Sequence, residues 1–73
     1  MTIKKKIPFL ISVGDRIRQE RIKQGISQSQ LAYEIRTSIR QIQRIENGEV
    51  NTGLVSLHKI AEALEIEVKK LIP

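Results

Sequence analysis

Apolar residues recur at helical spacing along most of the chain. The clearest run lies between positions 54 and 64, where the apolar positions are Leu54, Leu57, Ile60, Ala61 and Leu64. These positions fall on one face of a helix because each residue advances a helix by about 100°. No stretch alternates apolar and polar residues as a half-buried strand does, so the sequence predicts an all-α fold of five short helices around one core.

The N-terminal boundary of the first helix has two interpretations. Ser12 and Asp15 resemble a capping box, which predicts a helix over about 13–24 that ends at Gly25. Residues 1–11 are then a basic and apolar arm, and residues 12–73 form the domain. Alternatively, the apolar residues from Ile7 to Ile11 extend the first helix from Pro8 or pack on a partner subunit.

Two Ser-x-x-Gln capping boxes follow in quick succession. Ser27 and Ser38 each precede a glutamine by three residues, which predicts that the second and third helices begin there. The third helix should run from Ile39 to about Glu46, since Asn47-Gly48 stops it. So short a connection turns the chain sharply and sets one helix across the other, which predicts a helix-turn-helix.

The C-terminal third of the chain is predicted to form two more helices. Thr52 is a candidate cap for the fourth helix, and a last short helix is expected over about 67–72. The apolar residues of that last helix are candidates for a dimer surface, with residues 7–11 as the rival surface; they are Val68, Leu71 and Ile72.

The third helix has two chemically different faces. Ile42 and Ile45 share one side, which is predicted to be the core side. The opposite side gathers hydrogen-bond donors and no acid: Arg40, Gln43, Arg44 and Asn47. Arginine can bind guanine O6 and N7 together, and an amide can bind adenine N6 and N7. This face suits the major groove of DNA, although such residues also occur on ordinary solvated surfaces.

Composition limits the possible functions and partners further. The net charge is +5, most of it in residues 1–24, which indicates a polyanionic partner. The chain has no cysteine and one histidine, so we expect no disulfide, metal or other cofactor. The two aromatic residues are too few for single-strand binding by stacking. No apolar stretch is long enough to span a membrane, and a cytoplasmic protein is expected.

Residues 26–35 and 42–48 closely resemble the Xre/Cro helix-turn-helix family, which includes the lambda-type phage repressors. The resemblance covers about residues 13–72 and is most specific in the Arg-Ile-Glu-Asn-Gly run at 44–48. It implies the five-helix lambda-repressor-like fold with the helix-turn-helix at helices 2 and 3, DNA binding, and homodimers on palindromic sites.

The resemblance also implies residue roles. Bases would be read from the third helix by Ile39, Arg40, Gln41, Gln43 and Arg44. Phosphates would be contacted by Gln28 and Asn47. Apart from the resemblance, Tyr33 is either a surface packing residue or a phosphate contact through its hydroxyl group. Arg21 and Glu46 would form a partly buried structural ion pair. One departure is Arg36, which stands where the family commonly has glycine, so we expect this arginine to adopt a positive φ.

These observations predict a sequence-specific double-stranded DNA-binding transcriptional regulator that is a homodimer and not an enzyme. Two narrower interpretations are a restriction–modification controller and an antitoxin with a toxin partner. A protein-interaction module is the alternative from a different functional class. No nucleophile–base pair, carboxylate dyad or glycine-rich phosphate loop indicates catalysis.

Overall fold

The computed structural model describes residues 7–73, which form four α-helices followed by a 3₁₀ helix at Val68–Leu71. The α-helices are α1 (Pro8–Lys23), α2 (Gln28–Glu34), α3 (Ile39–Glu46) and α4 (Leu54–Ala63). This part of the chain contains no strand. The all-α prediction is confirmed, and the fifth helix has 3₁₀ rather than α geometry. None of the helices in residues 7–73 combines the length and the hydropathy that a bilayer crossing requires.

Helix α1 begins earlier than the capping box at Ser12 predicts. Its first residue is Pro8, with Ile7 as the N-cap, and no side chain caps this end. Proline is favoured at the first helical position because the N–H that it lacks would have no helical partner there. Ser12 therefore lies inside α1, and the prediction that it caps the helix is wrong. The lysines of the predicted arm, Lys4, Lys5 and Lys6, lie outside the described residues.

Helices α2 and α3 begin directly after Ser27 and Ser38, as predicted, and the reciprocal capping box is complete at Ser27. The Ser27 hydroxyl accepts the Gln30 N–H at 3.0 Å, and the Gln30 side chain accepts the Ser27 N–H at 2.8 Å. The Ser38 hydroxyl accepts the Gln41 N–H at 3.0 Å. Each cap satisfies donors that the first turn of a helix leaves unpaired and is worth about 1 kcal/mol.

The turn between α2 and α3 contains Arg36 in a left-handed conformation. This residue has φ of +59°, and the N–H of Thr37 behind it donates to the Ala32 carbonyl at 2.9 Å. The bond closes α2 with a Schellman turn, a motif whose left-handed position usually carries glycine. An arginine there costs about 1–2 kcal/mol. The expected positive φ is confirmed.

The start of α4 also differs from the prediction. Gly53, with φ of +76°, is the N-cap instead of Thr52, and α4 begins at Leu54. The Leu54 side chain is 83% exposed and is not a core residue, because it stands at the first helical position, outside the buried stripe. Leu57, three residues later, is buried.

One apolar core joins all five helices. Helix α3 packs against α1 and α2, and the 3₁₀ helix packs against α1 and α4. The fully buried large side chains are Ile17, Leu31, Ile42, Ile60, Leu64 and Leu71. Each contributes about 1.5–3 kcal/mol through removal of apolar surface from water. The burial of Leu71 in its own chain excludes it as a dimer-surface residue, which corrects that prediction.

Candidate nucleic-acid interface

The outer face of α3 is open to solvent, as its polarity predicts. Ile42 and Ile45 are buried on the inner side. On the outer side, Arg40 and Gln43 are exposed, and so is the apolar side chain of Ile39. The remaining candidate base-reading residues, Gln41 and Arg44, are half-buried at the margins of this face. The structure therefore brings the five candidate base-reading residues onto one short helix without covering them.

Two glycines let α1 cross the C-terminal end of α3 at very close range. A β-carbon on Gly14 would overlap the Ile45 carbonyl oxygen, at a distance that real side chains do not tolerate. A β-carbon on Gly48 would lie 2.7 Å from the α-carbon of Ile11. Backbone contact of this kind fixes the position of α3 against α1 because neither element can shift without losing it.

A buried carboxylate ends α3. Glu46 is 2% exposed, and Arg21 donates to it twice, from Nε to Oε2 at 2.7 Å and from Nη2 to Oε1 at 3.0 Å. The third N–H group of Arg21 donates to the Ile26 carbonyl at 2.9 Å. A two-point guanidinium–carboxylate contact is short and directional. Arg21 therefore joins the C-terminal part of α1, the loop before α2 and the C-terminal end of α3.

Gln28, at the start of α2, also binds the Glu46 carboxylate, and together with Arg21 these residues form a cluster at the C-terminal end of α3. Its amide nitrogen donates to Glu46 Oε1 at 3.0 Å. An ionised carboxylate only accepts, so this contact fixes the amide nitrogen inward and the amide oxygen outward. A phosphate also only accepts hydrogen bonds. A phosphate contact from Gln28 therefore requires its backbone N–H, or rotation of the amide away from Glu46.

Asn47 has the opposite orientation. Arg18 Nη2 donates to Asn47 Oδ1 at 2.8 Å, which turns the amide nitrogen of this exposed side chain away from the protein core. Arg18 also lies 3.5 Å from Glu46 Oε1, so two guanidinium groups face one carboxylate. Arg18 and Arg21 together carry one more positive charge than Glu46 carries negative charge.

Arg18 and Glu49 are two members of this cluster that sequence reasoning missed. The Asn47 amide nitrogen donates to Glu49 Oε2 at 3.4 Å, and Glu49 Oε1 lies 4.0 Å from Arg44 Nε. Arg18 is 29 residues from Asn47 in sequence, and helical spacing within α1 says nothing about its partner on another element. The acid two residues after Asn47 is visible in the sequence, but its contacts depend on the turn after α3.

Other polar residues of the described chain suggest no chemical site. Tyr33 is 83% exposed on α2. His58 lies 4.0 Å from Glu62 on the surface of α4. Within residues 7–73, no group of three or more histidine, aspartate or glutamate residues is placed to hold a metal ion.

The chain is similar in sequence to known helix-turn-helix proteins. A family model described as Helix-turn-helix matches residues 17–71. An uncharacterised HTH-type transcriptional regulator, y4aM of Sinorhizobium fredii, is 41% identical over 56 residues, which are 77% of this chain and 39% of the relative. A second regulator of that description, from Sinorhizobium medicae, is 37% identical over 89% of this chain and 47% of its own length. The chain thus spans less than half the length of these curated relatives.

Solved structures with this fold are also similar. The restriction-modification controller protein C.AhdI from Aeromonas hydrophila superposes with a TM-score of 0.83 and 35% identity, over 86% of this chain and 96% of that one. The clp gene regulator ClgR from Corynebacterium glutamicum superposes with a TM-score of 0.85 at 22% identity, over 89% of this chain and 84% of that one, which shows likeness of fold alone.

Proposed function

Because the chain belongs to the Xre-like helix-turn-helix family, we propose that it is a transcriptional regulator that binds double-stranded DNA through α3. The observation that carries the proposal is the solvent-exposed outer face of α3, where Arg40, Gln43 and Asn47 present hydrogen-bond donors. An α-helix is about 10–12 Å in diameter with its side chains, which matches the major groove width of about 12 Å. The eight residues of α3 are enough for two turns inside the groove.

Base reading is assigned to the two arginines of α3 and their neighbours. Arg40 and Arg44 are four residues apart and lie on the same side of α3. Each can bind the O6 and N7 atoms of guanine with its guanidinium fork. Gln41 and Gln43 can pair with adenine, and Ile39 supplies an apolar contact for a thymine methyl group.

Phosphate contacts position α3 in the groove. Asn47 is a candidate because its side chain is exposed, Arg18 lies beside it, and its amide nitrogen makes a long 3.4 Å contact with Glu49 that a phosphate would replace. Gln28 would contribute through its backbone N–H, and the exposed Tyr33 through its hydroxyl group. Arg21 and Glu46 do not touch DNA in this scheme. They hold α3 at the angle at which the phosphate contacts and the base contacts are made together.

A homodimer would place two copies of α3 on a palindromic operator. Its half-sites would be separated by about 34 Å, one turn of DNA, or by a multiple of that distance. Exposed apolar residues on the described surface offer two candidate dimer regions. One is the start of α4, with Leu54 and Val55, and the other is the start of α1, with Ile7 and Phe9.

Selection of bound duplexes from a random pool tests this function directly. We expect one enriched sequence, repeated with inverted symmetry at the half-site spacing given above. Affinity for the selected duplex should fall steeply with salt, with a slope of about −0.9 per phosphate neutralised. Absence of enrichment, together with a salt-insensitive complex with a protein, would overturn DNA binding in favour of the protein-interaction module.

A narrower role as a restriction–modification controller is favoured by one observation. This chain covers 96% of the controller C.AhdI at 35% identity. If the role is the same, the gene beside this one encodes a restriction enzyme or its methyltransferase, and the selected operator lies upstream of that pair. A toxin gene in that position would favour the antitoxin role instead. In either role the chain acts by binding and carries out no catalysis.

A further inference from the structure

Glu49 places an acidic group directly against the proposed DNA-binding residues. Its Oε1 atom lies 4.0 Å from Arg44 Nε, and its Oε2 atom accepts a hydrogen bond from the Asn47 amide at 3.4 Å. The side chains of Arg44 and Glu49 are 39% and 42% exposed, so DNA can reach both. A carboxylate in this place opposes the binding of a polyanion, and the roles assigned above do not account for it.

The backbone holds Glu49 in this position. Its N–H donates to the Arg44 carbonyl at 2.9 Å, and the N–H of Gly48 donates to the Ile45 carbonyl at 3.0 Å. With Gly48 at φ of +72°, these bonds close α3 with a Schellman turn. Glu49 therefore follows α3 at a fixed angle, and its carboxylate reaches Arg44 and Asn47 from a defined point.

The contact with Arg44 leaves the base-reading atoms of that arginine available. Glu49 faces Nε, on the inner edge of the guanidinium group, while the two Nη groups form the fork that would bind guanine O6 and N7. Guanine O6 and N7 carry no formal charge, but a phosphate does. The carboxylate consequently opposes a phosphate at Arg44 much more than it opposes a guanine.

We propose that Glu49 is a specificity-determining residue that weakens binding to random DNA more than binding to the operator. In the free protein it accepts a hydrogen bond from Asn47 and lies 4.0 Å from Arg44, so a phosphate that contacts either residue must approach the carboxylate. On the operator, Arg44 contacts a guanine, which the carboxylate opposes little. On random DNA, Arg44 contacts a phosphate, which the carboxylate opposes, and phosphate contacts supply nearly all of the affinity. The inference rests on the proposed function of α3.

The experiment compares Glu49→Gln with Glu62→Gln, which removes the same charge from α4, where the carboxylate pairs with His58. Affinities for the selected duplex and for a scrambled duplex are measured by fluorescence anisotropy over a range of salt. Exposed ion pairs contribute about 0.2–1 kcal/mol, so Glu49→Gln should tighten scrambled-duplex binding by about 1.4- to fivefold. Binding to the selected duplex should change less, and the specificity ratio should fall.

Two further measurements test whether the effect of Glu49→Gln on binding depends on Arg44. In a double-mutant cycle with Arg44→Ala, the increase in scrambled-DNA affinity from Glu49→Gln should be smaller, because the arginine beside the carboxylate is absent. In the free protein, Glu49→Gln should shift the NMR resonance of the Arg44 Nε–H group. An unshifted resonance, or a gain that persists in full without Arg44, would overturn the inference.

The outcomes separate this inference from the function on which it rests. If Glu49→Gln and Glu62→Gln shift both duplexes equally, net charge alone explains the effect, and the inference fails while DNA binding stands. If the unsubstituted chain binds no duplex even at low salt, both fail together. Support requires a selective gain on scrambled DNA that the Glu62→Gln control lacks.

Discussion

The two ends of α3 are held in different ways. At the C-terminal end, Glu46 is buried and accepts hydrogen bonds from Arg21 and Gln28, which belong to two other helices. The backbone of α1 also touches this end at Gly14. The position of the C-terminal end is thus determined by several contacts at once, and a change in one of them must disturb the others.

The N-terminal end has fewer attachments. Ile39 and Arg40 are exposed, and the polar contact made at this end is the Ser38 cap. The chain enters the helix through a turn in which Arg36 adopts a left-handed conformation. The difference separates two tasks: the C-terminal end fixes the angle of α3, and the N-terminal end presents side chains to a base sequence.

Removal of the Glu46 carboxylate should have the largest effect on stability. Glu46→Ala leaves the part-buried guanidinium group of Arg21 without its carboxylate partner, and we expect a loss of about 3 kcal/mol in the free energy of unfolding, the lower end of the range for buried pairs. Urea denaturation followed by circular dichroism measures it. Glu62→Ala, on an exposed carboxylate of α4, is the control and should change stability by no more than about 0.5 kcal/mol. Equal losses in the two variants would contradict an anchoring role for Glu46.

The same contrast explains which parts of the structure could be predicted from sequence. The caps at Ser27 and Ser38 are local, since each hydroxyl binds an N–H three residues away, and both were predicted correctly. The local pattern allows α1 to start at either Pro8 or Ser12, and the structure selects the Pro8 alternative. Tertiary packing of the apolar segment between them is not visible in the local pattern.

Side-chain contacts between different helices could be predicted only through the family resemblance. The positions of Arg21 and Glu46 match a pair known in the family, and the structure brings the two side chains together. The resemblance assigns no role to Arg18 or Glu49, which contact Asn47 in the structure. These contacts depend on how closely α1 approaches the end of α3, which Gly14 and Gly48 permit but which spacing along the chain does not reveal.

Gly14→Ala tests the close approach itself. Alanine favours a helix over glycine by about 1 kcal/mol, so on an open helix face this substitution would stabilise the fold. Here the added β-carbon would meet the Ile45 carbonyl oxygen, and we expect a net loss of about 1–3 kcal/mol by thermal denaturation. Ser12→Ala, at an exposed position of α1, should be nearly neutral. A more stable Gly14→Ala variant would show that α1 and α3 are not held as tightly as the geometry indicates.

Arg40→Ala addresses the other end of α3. We expect unchanged thermal stability, because the side chain is exposed, and a loss of about 1–3 kcal/mol in discrimination between the selected and the scrambled duplex. Gel-shift titrations on both duplexes measure it. Arg16→Ala, at an exposed arginine of α1, is the matched control for loss of charge. If both duplexes weaken equally in Arg40→Ala, Arg40 contacts a phosphate and does not read a base.

Arg36→Gly should have the smallest effect, and it is expected to stabilise the protein. Glycine removes the strain of a left-handed arginine, about 1–2 kcal/mol, but it also increases the entropy of the unfolded chain. The net gain should therefore be about 0.5–1 kcal/mol in chemical denaturation.

Arg36→Ala separates the backbone from the charge at this turn. It removes the guanidinium group and keeps the left-handed strain, so it should not stabilise the protein. Glu65→Gly offers a second comparison, because Glu65 has φ of +57° at the end of α4, where the N–H of Ile66 closes a similar turn on Ala61 at 3.0 Å. Similar gains from both glycine variants, with none from Arg36→Ala, would assign the effect to φ. A gain from Arg36→Ala equal to that from Arg36→Gly would assign it to the charge and would remove strain as a feature of the helix-turn-helix.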